Sequence, residues 1–136
     1  MTPPDMTAHA VGTFTVDLRP EAEFDRLFSR LSFTKRFQGD LEGASSGGMF
    51  GARTDTPGSA GYVAMERISG RLNGREGTFA LQHSGTLTRG RAESSVTVVP
   101  DSGTGDLTGL YGSMTIDQSD GSHRYSFDYG FNYETE

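Results

Sequence analysis

Apolar and polar residues alternate with period two along almost the whole chain, and short glycine-bearing breaks are all that interrupts them. Successive side chains of a strand point to opposite faces, so this pattern makes strands with one buried face. Phe14, Val16 and Leu18 share a parity in "GTFTVDL", as do Leu31, Phe33, Lys35 and Phe37 in "LSFTKRFQG". Tyr62, Ala64, Glu66 and Ile68 follow in "SAGYVAMERISGRL", then Phe79, Leu81 and His83 in "GTFALQHSGTL". Val96 and Val98, Met114 and Ile116, and finally His123, Tyr125, Phe127, Tyr129 and Phe131 complete the series.

Turn signals separate these runs at 56–61, 72–77, 88–91, 100–106 and 119–122. Asn73-Gly74 and Asp120-Gly121 are strong hairpin dipeptides, because both central residues of the favoured turn take positive φ. Consecutive strands joined by tight turns form an antiparallel meander. An aromatic-rich face and 19 glycines for corners favour closure, which removes exposed edges. The expected fold is therefore all-β, an antiparallel meander of about eight strands closed into a small barrel.

One stretch competes with this pattern. In "RPEAEFDRLFSRL", Phe24, Leu27, Phe28 and Leu31 have helical spacing. At most one short helix is expected, near 20–28. Regular patterning starts near Ala10, so residues 1–9 read as a flexible N-terminus and 10–136 as one domain. A chain of 136 residues suits a single core.

The phrase Gly-Asp-Leu-x-Gly, followed by Gly-x-Met, occurs at 39–49 and again at 105–114. It reads as two similar barrel corners, or as a faint internal duplication. Glycine supplies a bulge or positive φ, aspartate bonds to local N–H groups, leucine points inward, and methionine restarts the inner face. Neither copy carries the Gly-Lys-Ser/Thr of a phosphate loop.

Composition narrows the function. The formal net charge is −6 with no basic stripe, which argues against nucleic acid. No apolar run reaches the length of a membrane helix, and the first residues do not read as a secretory signal. The absence of cysteine suits the cytoplasm and rules out thiolate metal sites. Three scattered histidines make no metal motif, so neither metal nor cofactor is expected.

The runs "LQHSGTL" and "VVPDSGTGDLTGL", with "KRFQGDLEG" and "GYVAMERISGRLNGREGTF", resemble the bacterial family called domain of unknown function 3224. The resemblance covers roughly residues 30–130. It implies an antiparallel barrel similar to plant allene oxide cyclase, and no assigned activity.

Three polar residues share parity with the inner apolar face. His83 is either an inward histidine satisfied by a neighbour or a general acid/base, a role its ordinary pKa of about 6.5 suits. Glu66 is either inward and paired, or a surface glutamate beside Arg67. Lys35 is either the inward partner of Glu66 or an outward strand lysine. These three are the candidate catalytic residues. Phe33, Phe37, Tyr62 and Phe79 are candidate ligand-binding residues, as are Leu81, Met114, Tyr125 and Phe127. The expected partner is a small apolar or amphipathic molecule. A cofactor-free cyclase or isomerase stands beside two alternatives: a carrier without turnover, and a filled structural barrel acting through a homo-oligomer surface.

Overall fold

The computed structural model describes residues 8–21, 25–118 and 121–132. Eight strands follow one another: β1 (Ala8–Pro20), β2 (Phe28–Gly39), β3 (Leu41–Arg53), β4 (Ala60–Leu72), β5 (Arg75–Thr88), β6 (Arg91–Val98), β7 (Leu110–Asp117) and β8 (His123–Phe131). Each pairs antiparallel with the next. β1 also pairs with β8, from Ala8↔Tyr129 to Phe14↔His123, which closes the barrel. β1 begins two residues ahead of the boundary suggested by the patterning.

The helical spacing near 20–28 yields no helix among the described residues. β1 runs through Pro20, residues 25–27 bend, and Phe28 and Leu31 already belong to β2. Phe24 lies outside the described residues. Sheet pairing on both sides of β2 outweighs a local periodicity too short to nucleate a helix. The only helical turn among the described residues is a 3-10 turn at Gly105–Leu107.

Asn73-Gly74 makes a two-residue hairpin turn with φ of 46° and 88°, and Arg89-Gly90 repeats it with 47° and 93°. These are the mirror-image turns whose twist matches the flanking strands. Asp120 of the other hairpin dipeptide lies outside the described residues.

The two Gly-Asp-Leu copies meet at the same end of the barrel but are not two equal corners. Gly39-Asp40-Leu41 is the tight link from β2 to β3, while Gly105-Asp106-Leu107 is the 3-10 turn inside the longer β6–β7 connection. The chemistry is nevertheless shared. Both glycines have positive φ, 112° and 61°. Asp40 accepts a bond from the Val11 N–H at 2.9 Å and Asp106 one from the Glu76 N–H at 3.4 Å. Leu41 and Leu107 are both buried and plug this closed end.

Above the plug lies a dense core. Phe79 and Phe127 stack with centroids 6.0 Å apart, and Phe127 stacks on Tyr129 at 5.2 Å. Phe14 packs on Phe37, and Phe37 meets Tyr125 edge-on. Each such buried side chain contributes about 1.5–3 kcal/mol of apolar transfer. The Tyr125 hydroxyl accepts the Leu41 N–H at 2.8 Å and reaches the carbonyl oxygens of Gln38 and Leu41. Burial, and to a lesser degree the Asp40 charge, push this phenol above its usual range against the opposing pull of the Leu41 bond. Among the described residues, no helix is long and apolar enough to cross a membrane.

Candidate functional site

Four adjacent strands each send one polar side chain to a single point inside the barrel. Lys35 on β2 lies opposite Ser45 on β3, and Ser45 opposite Ile68 on β4. Glu66 on β4 stands between Gly47 and Leu81, and His83 on β5 between Ala64 and Val96. Period-two alternation aims all four inward, because each sits in step with buried apolar residues of its own strand. Both open alternatives thus resolve the same way: Glu66 and Lys35 point into the barrel.

Glu66 is the hub. Its Oε1 accepts from Lys35 Nζ at 3.1 Å and from His83 Nε2 at 2.8 Å, and its Oε2 accepts from Ser45 Oγ at 2.6 Å. The Glu66 side chain is fully buried, and those of Lys35 and His83 are 9% and 7% exposed. Burial by itself would push the carboxyl pKa up. The His83 bond, the Lys35 charge, the Ser45 bond and the His83 charge together outweigh it, and the carboxyl titrates below the ordinary value of 4.5. The group is therefore a carboxylate at neutral pH. Its desolvation is tolerable only because every oxygen is bonded.

The surroundings fit the charges. Lys35 Nζ lies 4.7 Å from the Phe14 ring centroid and 5.3 Å from that of Phe33, an arrangement in which ring faces stabilise a cation. Gly47, opposite Glu66, leaves room for this: a Cβ there would stand 2.7 Å from the Phe33 ring.

With Glu66 ionised, the hydrogen of the His83–Glu66 bond belongs to Nε2. The other ring nitrogen, Nδ1, has no hydrogen-bond partner among the described residues. No buried side-chain nitrogen or oxygen among the described residues lacks a partner, so Nδ1 is not sealed. In the neutral imidazole it carries a free lone pair with a measure of access.

Over this network the barrel opens. A cavity of about 760 Å³ occupies the end opposite the plug. Leu31, Met49, Val96 and Ile116 line its inner part, and Arg26, Arg53, Tyr62 and Glu93 are among its outer residues. Val96 is the cross-strand partner of His83, so the imidazole sits one strand from a lining residue, although His83 is not itself part of the lining. One wall is thin: β6 and β7 share a single bridge, Thr97↔Ser113, and Ala92, Ser94 and Ile116 on either side of the gap line the cavity. A shallower groove of about 450 Å³ crosses the outer face of β2–β4 at Gly48, away from the Glu66 network.

Of the expected apolar ligand contacts, Tyr62 lines the open end, 36% exposed. Phe37, Phe79, Leu81, Met114, Tyr125 and Phe127 belong to the packed core, and Phe33 is buried beside Lys35. The barrel is therefore filled in its lower part and open above. Ser45 was not singled out by its sequence. The signal was present, since Leu41 and Met49 share its parity, but Gly43 and Gly47 between them erase the apolar alternation.

A second cluster has the order of a serine hydrolase triad. His9 Nδ1 lies 2.7 Å from Asp128 Oδ1, and His9 Nε2 lies 3.5 Å from Ser126 Oγ. It sits on the outer face of β1 and β8, with His9 and Asp128 more than half exposed. β8 is paired on both sides, so its backbone N–H groups are engaged in the ladders, not free to hold an oxyanion. The cluster reads as a surface ion pair. His123 opens β8 and packs on Phe14 at 5.0 Å. Among the described residues no group of three or more histidine, aspartate or glutamate side chains is placed to hold a metal.

Comparison with known proteins agrees with the fold. No curated protein matches the chain. A crystal structure of a protein with unknown function from the DUF3224 family, from Shewanella oneidensis MR-1, superposes with a TM-score of 0.90 at 42% identity. The match covers 93% of this chain and 98% of that one. The family model described as protein of unknown function (DUF3224) matches residues 10–129, and the chain belongs to that family.

Proposed function

We propose that the barrel binds a small apolar ligand at its open end and moves a proton on it, as a cofactor-free isomerase or cyclase. The observation that carries this reading is the Nδ1 of His83, unbonded among the described residues and one strand from the cavity-lining Val96, while Nε2 is held by a buried carboxylate. In this mechanism the Nδ1 lone pair takes a proton from a ligand carbon. Glu66 accepts the Nε2–H throughout and stabilises the imidazolium that forms. Lys35 and Ser45 keep Glu66 ionised and in place. Proton return to a different ligand atom completes an isomerisation, and the apolar walls keep water from the intermediate. A likeness to the allene oxide cyclase barrel belongs to this proposal, as does work in the cytoplasm, which the lack of cysteine suits.

A carrier without turnover is the second reading. It is favoured by the position of Lys35, Glu66 and His83, none of which lies in the cavity lining itself.

The probe that separates the two is 5-nitrobenzisoxazole, a flat apolar molecule. Loss of its one acidic C–H proton to a base breaks its N–O bond and releases a coloured phenolate. The enzyme reading expects turnover that falls about 100-fold or more in His83→Gln, with nearly unchanged probe affinity. Equal rates in both proteins would remove His83 from the chemistry. Binding without turnover in either would favour the carrier.

A further inference from the structure

We propose that the natural ligand is a linear amphiphile with one anionic headgroup, its carboxylate held by Arg26 and Arg53 at the rim and its tail laid inward toward the β6–β7 gap. This rests on the apolar-ligand reading and extends it to the ligand's charge and shape.

Both arginines line the cavity. Neither makes an ion pair with a carboxylate among the described residues. The Arg53 N–H donates to the Leu27 carbonyl at 3.1 Å, which ties the two segments together and puts Arg26 and Arg53 on one side of the rim. The acidic residue of the lining, Glu93, is three strands away on β6 and within 4.0 Å of Arg91. The two lining cations thus share one side of the mouth on a chain whose net charge is −6, where the neighbouring Asp25 carboxylate is engaged by the Leu27 N–H at 2.8 Å. A carboxylate repelled elsewhere is attracted there, and guanidinium groups suit its planar geometry.

Below the rim the character changes. Leu31, Met49, Val96 and Ile116 offer an apolar path with no further arginine or lysine. The gap beside Thr97↔Ser113 lengthens that path along the wall, which favours a chain over a compact ring system. A headgroup fixed at the rim would present the tail, not the head, to His83.

The test is titration calorimetry with dodecanoate, 1-dodecanol and dodecyltrimethylammonium, each below its aggregation threshold. The expected order is acid over alcohol by roughly 10- to 100-fold, in line with charge-assisted bonds, and the cation weakest. The double variant Arg26→Gln/Arg53→Gln should bring the acid down to the alcohol and leave the alcohol unchanged. Arg71→Gln, which removes an arginine paired with Glu42, should change nothing. These are exposed positions, and a thermal melt confirms that each variant folds. Equal binding of acid and alcohol, or an acid preference surviving in the double variant, overturns the headgroup assignment and leaves the apolar cavity standing. Failure of all three to bind overturns the apolar-ligand reading as well.

Discussion

At Glu66, three neighbours decide what a buried carboxylate does. Desolvation favours the neutral acid, yet two hydrogen bonds and a cation hold the charged form. Replacing Glu66 by Gln leaves Lys35 buried without a counter-charge, and breaking such a pair typically costs about 3–5 kcal/mol. Chemical denaturation at neutral pH should show that loss in Glu66→Gln. The pH dependence follows from the same group. Its folded carboxyl titrates below 4.5, so the unfolded chain binds more protons through that range. The stability Glu66 contributes is complete above pH 4.5 and disappears as pH falls through the folded value. A denaturation series from neutral to acid pH should therefore show an acid limb that is shallower in Glu66→Gln. Parallel limbs in the two proteins would mean that other carboxylates govern acid unfolding.

Among the elements, β6 and β7 stand apart. Their neighbours are zipped over many residues, as with β3 and β4 from Leu41↔Leu72 to Arg53↔Ala60, whereas the β6–β7 seam has one bridge. Backbone groups facing the gap lack the ladder partners that slow exchange. Native-state hydrogen exchange should be fastest, within the strands, for β6 and β7 amides directed at each other, and slowest in β3 and β4. Uniform protection around the barrel would contradict the seam. The sequence hints at this weakness: "PDSGTGDLTG" puts a long glycine-bearing connection between these two strands, where tight two-residue turns join β4 to β5 and β5 to β6.

For the whole molecule, closure depends on the two ends of the chain. β1 and β8 pair across more than a hundred residues, so the last seam forms only after a large loss of chain freedom. Removing residues 118–136 deletes β8 and exposes the edges of β1 and β7. It also takes Tyr125, Phe127 and Tyr129 from the core. The truncated chain should aggregate on refolding, as unpaired edges do, whereas the full chain refolds; light scattering during refolding distinguishes them. A truncated chain that stayed monomeric with native β circular dichroism would show that closure is dispensable.

By itself the sequence determined the strand set, the inward parity of His83, and the closure of an aromatic-faced meander, because side-chain alternation is a local property of each strand. It also carried a misleading helical spacing at residues 24–31, where local periodicity competes with pairing that only the sheet supplies. The tertiary structure decided whether Lys35 and Glu66 face in or out, since Phe33 and Phe37 or Ala64 and Ile68 fix a parity without fixing what a charge will meet. It brought in Ser45, whose glycine neighbours hid its parity. It also separated the filled half of the barrel from the open one. That division depends on strand stagger and on two leucines sixty-six residues apart in the chain that join one core, distances over which alternation carries no information.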